Sequence, residues 1–272
     1  MSAAMQLSAQ TLRTAGVLRQ PCRSAHQQPF RASPVLASAC RSRRTVAASA
    51  APSSPPSSQM LIYVPPHPLI KHWLAVARNE MTPQPAFRSA IAELGSILIY
   101  ECLRDWLPTV EGEIQSPCGI ADAVLADPNT PIKVIPILRA GLVILENAAT
   151  VLPHSQTYHL GMVRDEETLQ PSTYLNKLPQ SFSAEDKILI ADPMLATGGT
   201  MLAAMNEVVS RGASPENIRI ISIVAAPPAL KVLSEKYQGA KVYTAMIDAE
   251  VNDKGFIIPG LGDAGDRAFG TV

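Results

Sequence analysis

Five short apolar runs, "IKVIPIL", "SQTYHLGMV", "DKILIA", "NIRIISIVA" and "AKVYTAMI", lie between residues 132 and 247, separated by helical patterns such as "GLVILENAATVL" and "TMLAAMNEVVSRG". Most are apolar at consecutive positions, so both faces of each strand have to be covered. Strands of this kind alternating with helices predict an α/β fold with a mostly parallel central sheet and helices on both faces. No internal repeat interrupts the pattern.

Ahead of these runs the spacing is helical. "HPLIKHWLAVAR" is followed, after the breaker "MTPQP", by Phe87, Ile91, Leu94, Leu98, Cys102 and Trp106 at steps of three or four. That spacing predicts a long helix with one apolar face through Trp106, and needs no cofactor beside Trp73 or Trp106. The looser "LPTVEGEIQSPCGIADAVLADPNTP" predicts turns and a short hairpin.

The net charge of zero over 272 residues hides an asymmetry: residues 1–58 hold seven arginines and no acid, leaving 16 basic against 23 acidic residues in 59–272. A segment that is rich in Arg, Ser and Ala and free of acids reads as an organelle transit peptide, with cleavage expected between Arg44 and Gln59. "TVAASA" favours a plastid over a mitochondrion, and no apolar core of a secretory signal follows Met1. The mildly acidic remainder, 59–272, is expected to be a single domain that binds no nucleic acid. No run of eighteen apolar residues offers a membrane span. Cys22 and Cys40 fall in the leading segment; Cys102 and Cys118 stand alone, without the spacing of a zinc site or a disulfide framework. The scattered His67, His72, His154 and His159 read as packing or surface residues, and Glu166-Glu167 as a solvated turn.

In open parallel sheets ligands bind beyond the carboxyl ends of the strands. There, "VIPIL" runs into Arg139-Ala140-Gly141, "YHLGMV" into Arg164-Asp165, and "KILIA" into Asp192-Pro193. The third strand continues through Ala196-Thr197-Gly198-Gly199-Thr200 into a helix with Met201, Leu202, Met205, Val208 and Val209 on one face. Such a loop offers main-chain N–H groups and two hydroxyls at the positive end of a helix, which is an anion site. Asp192, close ahead of it, would repel a bare anion, so the ligand must also donate protons or bring a cation. A sugar phosphate does both. A Walker-type loop would need a lysine where the chain has none.

Residues 260–265, Gly-Leu-Gly-Asp-Ala-Gly, spell G-x-G-x-x-G. A dinucleotide fingerprint must open a helix inside a βαβ unit, with an acid about twenty residues on. Seven residues follow Gly265, leaving no room for the helix, the strand or the acid.

"DPMLATGGT", "HPLIKHWLAVAR", "PILRAGL", "RDEETLQPSTYLNKLP" and "GFIIPGLGDAGDRAFGT" together resemble the uracil phosphoribosyltransferases, from about Val64 to Val272. The resemblance implies the type I phosphoribosyltransferase fold, with an N-terminal helical arm and a C-terminal hood that recognises the base. It implies that uracil and phosphoribosyl pyrophosphate (PRPP) are the substrates, with UMP and diphosphate as products. It further implies that Arg139, Asp192 and Asp263 are catalytic. PRPP would be held by Arg139, Arg164, Asp192, Pro193, Met194, Leu195, Ala196, Thr197, Gly198, Gly199, Thr200 and Asp263. Uracil would be held by Ile257, Gly262, Asp263 and Ala264. Residues Asp165 to Pro179 resemble a mobile hairpin over the site. Many relatives have Ser where this chain has Thr200, which keeps the hydroxyl. Mg²⁺ would arrive mainly on PRPP, with no metal site of the protein's own. The resemblance also implies a homodimer or homotetramer and allows a GTP effector.

In that reaction positive charge develops at the anomeric carbon and negative charge on the departing diphosphate, so electrostatic stabilisation and positioning do the work, with no nucleophilic side chain. Glycines around Gly262 to Ala264 would let the main chain read a flat base. Two other readings stay open: a phosphoribosyltransferase for another base, and a non-catalytic regulator that binds UMP.

Overall fold

A computed structural model describes residues 59–164 and 171–271, all within the unit Pro52–Val272. The transit-peptide expectation and the Glu166-Glu167 turn lie outside these residues. In chain order the first elements are β1 (Leu61–Tyr63), α1 (Pro68–Arg78), α2 (Gln84–Leu103), β2 (Thr109–Ser116), β3 (Gly119–Ala126) and β4 (Ile132–Leu138). There follow α3 (Gly141–Ile144), α4 (Ala148–Val151), β5 (Ser155–Thr157), β6 (Leu160–Arg164), β7 (Pro171–Asn176), β8 (Ile188–Ala191) and β9 (Met194–Leu195). The last are α5 (Gly199–Ser210), β10 (Ile218–Ala225), α6 (Pro227–Lys236), β11 (Lys241–Ile247), β12 (Glu250–Val251), β13 (Ile257–Ile258) and α7 (Ala264–Phe269).

The sheet runs β1-β11-β10-β8-β4-β6-β7, with β5 beside β4 and β9 beside β10. Every described pairing in it is parallel except β6 with β7. Alternate residues of each strand enter opposite cores. Ile132 and Val134 of β4, Leu189 and Ala191 of β8, and Tyr243 and Ala245 of β11 meet α1, α2 and α7 on one face. Ile135 and Ile137, Ile188 and Ile190, and Val242 meet α5 and α6 on the other. The consecutive apolar residues of these strands are thus two interleaved faces, each dry.

Several details differ from the sequence pattern. "SQTYHLGMV" is broken into β5 and β6, and β1 adds a short exposed edge that the sequence does not announce. Helix α2 ends at Leu103, so Trp106 lies in the following turn. Nor is α2 apolar on one face only: Ala92, Gly95 and Ile99 are buried with the expected Leu94 and Leu98. It touches α1, α3, α4, α7 and the sheet, and so is covered on several sides. Helices α1 and α2 lie on the sheet, and the hairpin β2–β3, longer than expected, projects from the fold.

Behind α2 a buried Arg219 of β10 donates to the Cys102 carbonyl, to Asp105 Oδ1 at 2.8 Å and to the Tyr243 hydroxyl at 3.0 Å, with its guanidinium 4.7 Å from the Trp106 ring centre. The bond from Arg219 brings Asp105 down to about 2, while burial pushes the Cys102 thiol up to about 12. Cys102 is therefore a packing residue with no thiolate at neutral pH. His67 caps α1, its Nδ1 accepting from the Leu69 N–H at 3.1 Å.

Candidate active site

Because β4, β6 and β8 are parallel neighbours, Arg139, the end of β6 at Arg164, and Asp192 emerge at one edge of the sheet. A cleft of about 780 Å³ opens there. Of the residues expected from the sequence, Arg139, Asp192, Pro193, Met194, Ala196, Thr200, Gly262, Asp263 and Ala264 line it. Leu195, Thr197, Gly198, Gly199 and Ile257 are not among its lining residues.

The loop after β8 is tied to β10 from behind. Pro193 O accepts from the Ile223 and Val224 N–H groups at 3.0 Å, and Leu195 O from the Ala226 N–H at 2.8 Å. These bonds turn the Leu195 side chain into the core. Gly198 then enters α5 at φ +85°, and a Cβ there would stand 2.9 Å from the Ala229 Cα, so this position admits glycine alone without a shift of α6. No side chain caps α5, whose first N–H groups remain available to an anion. Met201, Ala204, Met205 and Val208 anchor the helix; Leu202 and Val209 are half-buried beside them.

Arg139 begins the opposite wall, where the Leu138–Arg139 peptide is cis. Its Nη2 donates to Asp266 Oδ1 at 3.1 Å and its Nη1 lies 3.5 Å from Thr271 Oγ1, with half of the side chain exposed. Asp263 caps α7, its Oδ1 accepting from the Asp266 N–H at 2.9 Å. A helix of six residues opens inside the G-x-G-x-x-G stretch, at Ala264, where the expectation left no room for one after Gly265. This stretch does not belong to a βαβ unit, since β13 before it pairs antiparallel with β12. Gly260 and Gly262 have φ of +56° and +69°, so the turn itself calls for glycine. The Ile257 side chain packs in the core, and its main chain pairs with Val251 of β12. Arg164 pairs with Pro171 at the end of the β6–β7 hairpin, and Pro171 lies against the α5 loop at Gly199; residues 165–170 fall outside the described part of the chain.

The sequence reasoning missed Asp253, Lys254, Gly255 and Phe256, which line the cleft from the turn between β12 and β13. "NDKG" is a turn signal, but nothing local says which way the turn faces. The cleft so built carries cations at Arg139 and Lys254, helix N–H groups at α5, and carboxylates at Asp192, Asp253 and Asp263.

An anion site with a carboxylate at its mouth and a glycine turn across the gap defines a class, α/β proteins shaped for a sugar phosphate. Comparison with known proteins narrows it. The sequence profile described as uracil phosphoribosyltransferase matches residues 64–271. The "Uracil phosphoribosyltransferase, chloroplastic" of Arabidopsis thaliana is 54% identical over 286 residues, covering 98% of this chain and 96% of that protein. The uracil phosphoribosyltransferase of Nostoc sp. is 60% identical over 213 residues, covering 78% and 99%. Among solved structures, the AQ2163 protein from Aquifex aeolicus superposes with a TM-score of 0.69 at 38% identity, covering 77% of this chain and 98% of its own. The chain belongs to the uracil phosphoribosyltransferase family.

Ala264 is buried at the cleft wall beside Asp263. Ala264→Phe should fill the hood side of the cleft and abolish uracil turnover while ribose 5-phosphate still binds at the α5 loop. Calorimetry alongside the activity assay checks this; equal loss of both would show that Ala264 does not border a base pocket.

Proposed function

We propose that the chain transfers the phosphoribosyl group of PRPP to uracil, forming UMP and releasing diphosphate. The observation that carries this reading is one cleft lined by Arg139, Asp192, Ala196 and Thr200 at the two ends of the α5 loop, and the Gly262–Ala264 turn, in a chain of the uracil phosphoribosyltransferase family.

In this reading the first N–H groups of α5 and the Thr197 and Thr200 hydroxyls hold the 5′-phosphate. Asp192 accepts from the ribose hydroxyls, which orients the sugar with its anomeric carbon toward the hood. Arg139, with Arg164, neutralises the charge that grows on the departing diphosphate, and this stabilisation lowers the barrier. The Gly262–Ala264 main chain reads the pattern of donor and acceptors on the uracil edge. Cytosine reverses part of that pattern and would leave main-chain groups unpaired, a mismatch worth on the order of 10⁴-fold. Asp263 faces the donor from the hood side.

Among the described residues no group of three or more His, Cys, Asp or Glu could hold a metal alone. Asp192 and Asp263 fit a hard cation shared between one or two carboxylates and substrate oxygens, as Mg²⁺ prefers. When bound, Mg²⁺ would add charge neutralisation on the diphosphate.

The hairpin β2–β3 supports a homo-oligomer. Val110, Gly112 and Ile114 stand opposite Leu125, Ala123 and Ala121 on one face, while the other mixes Glu111, Glu113 and Asp122 with the exposed Val124 and Ile120. A two-stranded hairpin with an uncovered apolar face is marginal in water, so a second copy covering it would stabilise it. Light scattering should give a dimer or tetramer, and Ile114→Asp should shift it toward monomer; an unchanged mass would exclude the hairpin as the interface. A GTP effector is part of the same reading, tested by adding GTP to that sample.

Residues 1–58 are read as a transit peptide to the plastid. The chloroplastic relative, whose alignment reaches into this segment, supports that. Sequencing the N-terminus of protein recovered from plastids should find cleavage between Arg44 and Gln59.

The activity itself is tested by diphosphate release with uracil, cytosine, hypoxanthine and adenine. Uracil alone should be turned over, and folded Asp192→Asn and Arg139→Ala should each lose most of the rate, about 10²-fold or more. Near-normal rates in both variants would overturn the assignment.

A further inference from the structure

The turn that brings Gly262, Asp263 and Ala264 to the cleft is held from behind by side chains that do not line it. Asp248 follows β11 directly and is 6% exposed. Its Oδ1 accepts from Arg78 Nη2 at 2.7 Å, and its Oδ2 accepts from the Gly260 N–H at 3.0 Å. From the other side Arg267 of α7 donates through Nη1 to the Leu261 and Ala77 carbonyls, each at 2.7 Å, and through Nη2 to the Asn79 carbonyl at 2.8 Å. The two tied main-chain groups, Gly260 N–H and Leu261 C=O, immediately precede the residues that line the cleft. Both ties lead to one place, the end of α1 at Ala77, Arg78 and Asn79.

Leu261 anchors the turn in the core, but the glycines on either side of it leave the main chain there to be held by hydrogen bonds. Gly260 and Gly262 bring no side chains to it, and a Cβ at Gly260 would stand 2.2 Å from the Ile257 carbonyl oxygen. Gly260 is itself buried, so its N–H needs a partner. A carboxylate answering one guanidinium and one main-chain N–H makes two charge-assisted bonds, shorter and stiffer than neutral ones. We infer that Asp248 is a positioning residue for base recognition, acting through the Gly260 N–H and Arg78 on the main chain of Gly262 to Ala264. Arg267 braces the opposite side of the same turn. The inference rests on reading that turn as the uracil pocket.

Asp248→Asn separates this role from a general one. The amide has one acceptor oxygen for two donors, so one bond is lost whichever way it is turned. The donor site is built on β4, β8 and α5, which the substitution leaves as they were; of its contacts only Asp263 rides on this turn. With both substrates varied, Asp248→Asn should raise KM for uracil about tenfold or more, with KM for PRPP within about twofold of wild type. Arg78→Lys keeps a cation at Asp248 and the Gly260 bond, and should stay within about threefold of wild type for both. If Asp248→Asn does not fold, Arg267→Lys reads the same split, because an ammonium cannot serve three carbonyls in the geometry of the guanidinium. An unshifted KM for uracil in the folded variant overturns the inference; so does an equal rise in both KM values with a lowered melting temperature. Absence of uracil turnover in the wild type defeats the underlying functional reading, whereas wild-type turnover with an unshifted variant defeats this inference alone.

Discussion

Parallel pairing of β4, β8 and β10, dry on both faces, is the constraint on which the rest of the molecule depends. Burying both faces disfavours polar side chains along these strands, where the buried Arg219 and Ser222 of β10 are hydrogen-bonded, so the charged groups that face the cleft stand where the strands end. Parallel order then puts those ends on one edge. Arg139 and Asp192 share a cleft because their strands are neighbours in the sheet, although 53 positions separate them in the chain. The core and the site are two results of one hydrophobic pattern.

Charge within the cleft is divided rather than neutral. The α5 N–H groups, Arg139 and Lys254 favour anions, while Asp192, Asp253 and Asp263 favour hydroxyl protons or a cation. A ligand with phosphate alone would be repelled by the second set, and a neutral sugar would gain little from the first. A phosphorylated sugar satisfies both, and on leaving its diphosphate would develop charge of each sign where the opposite sign already stands.

What the sequence made legible follows from locality. The strand pattern, the release of Arg139 and Asp192 at strand ends, and the Thr197-Gly198-Gly199-Thr200 loop are written in consecutive residues, and the structure contains each of those elements. The extent of α2 burial was not legible. Gly95, for one, is covered by Ile144 of α3, which arrives 49 positions later, so a single-face reading fell short. The turn bearing Asp253 to Phe256 was recognisable as a turn, but its direction depends on the β12–β13 pair meeting a rim built from distant strands. The short helix α7 was not legible because a dinucleotide fingerprint implies a full βαβ unit, whereas Asp263 here caps six residues that end at Gly270 in a left-handed conformation.

On the proposed function, reading a base with main chain moves the burden of specificity away from the residues at the cleft. A side chain that recognises a ligand can be aimed by its own rotamer, whereas an N–H or C=O is aimed by the turn that carries it. Glycine makes that turn sterically accessible and, for the same reason, leaves it loose, since Gly loses the most conformational freedom on ordering. The order has to be imposed from outside. Here it comes from a buried carboxylate after β11 and from arginines on α1 and α7, 6 to 190 positions from the groups they bond. A motif search finds the glycines, which look like the recognition element. The ion pair that gives them a fixed position lies outside the motif, in residues that have no local signal.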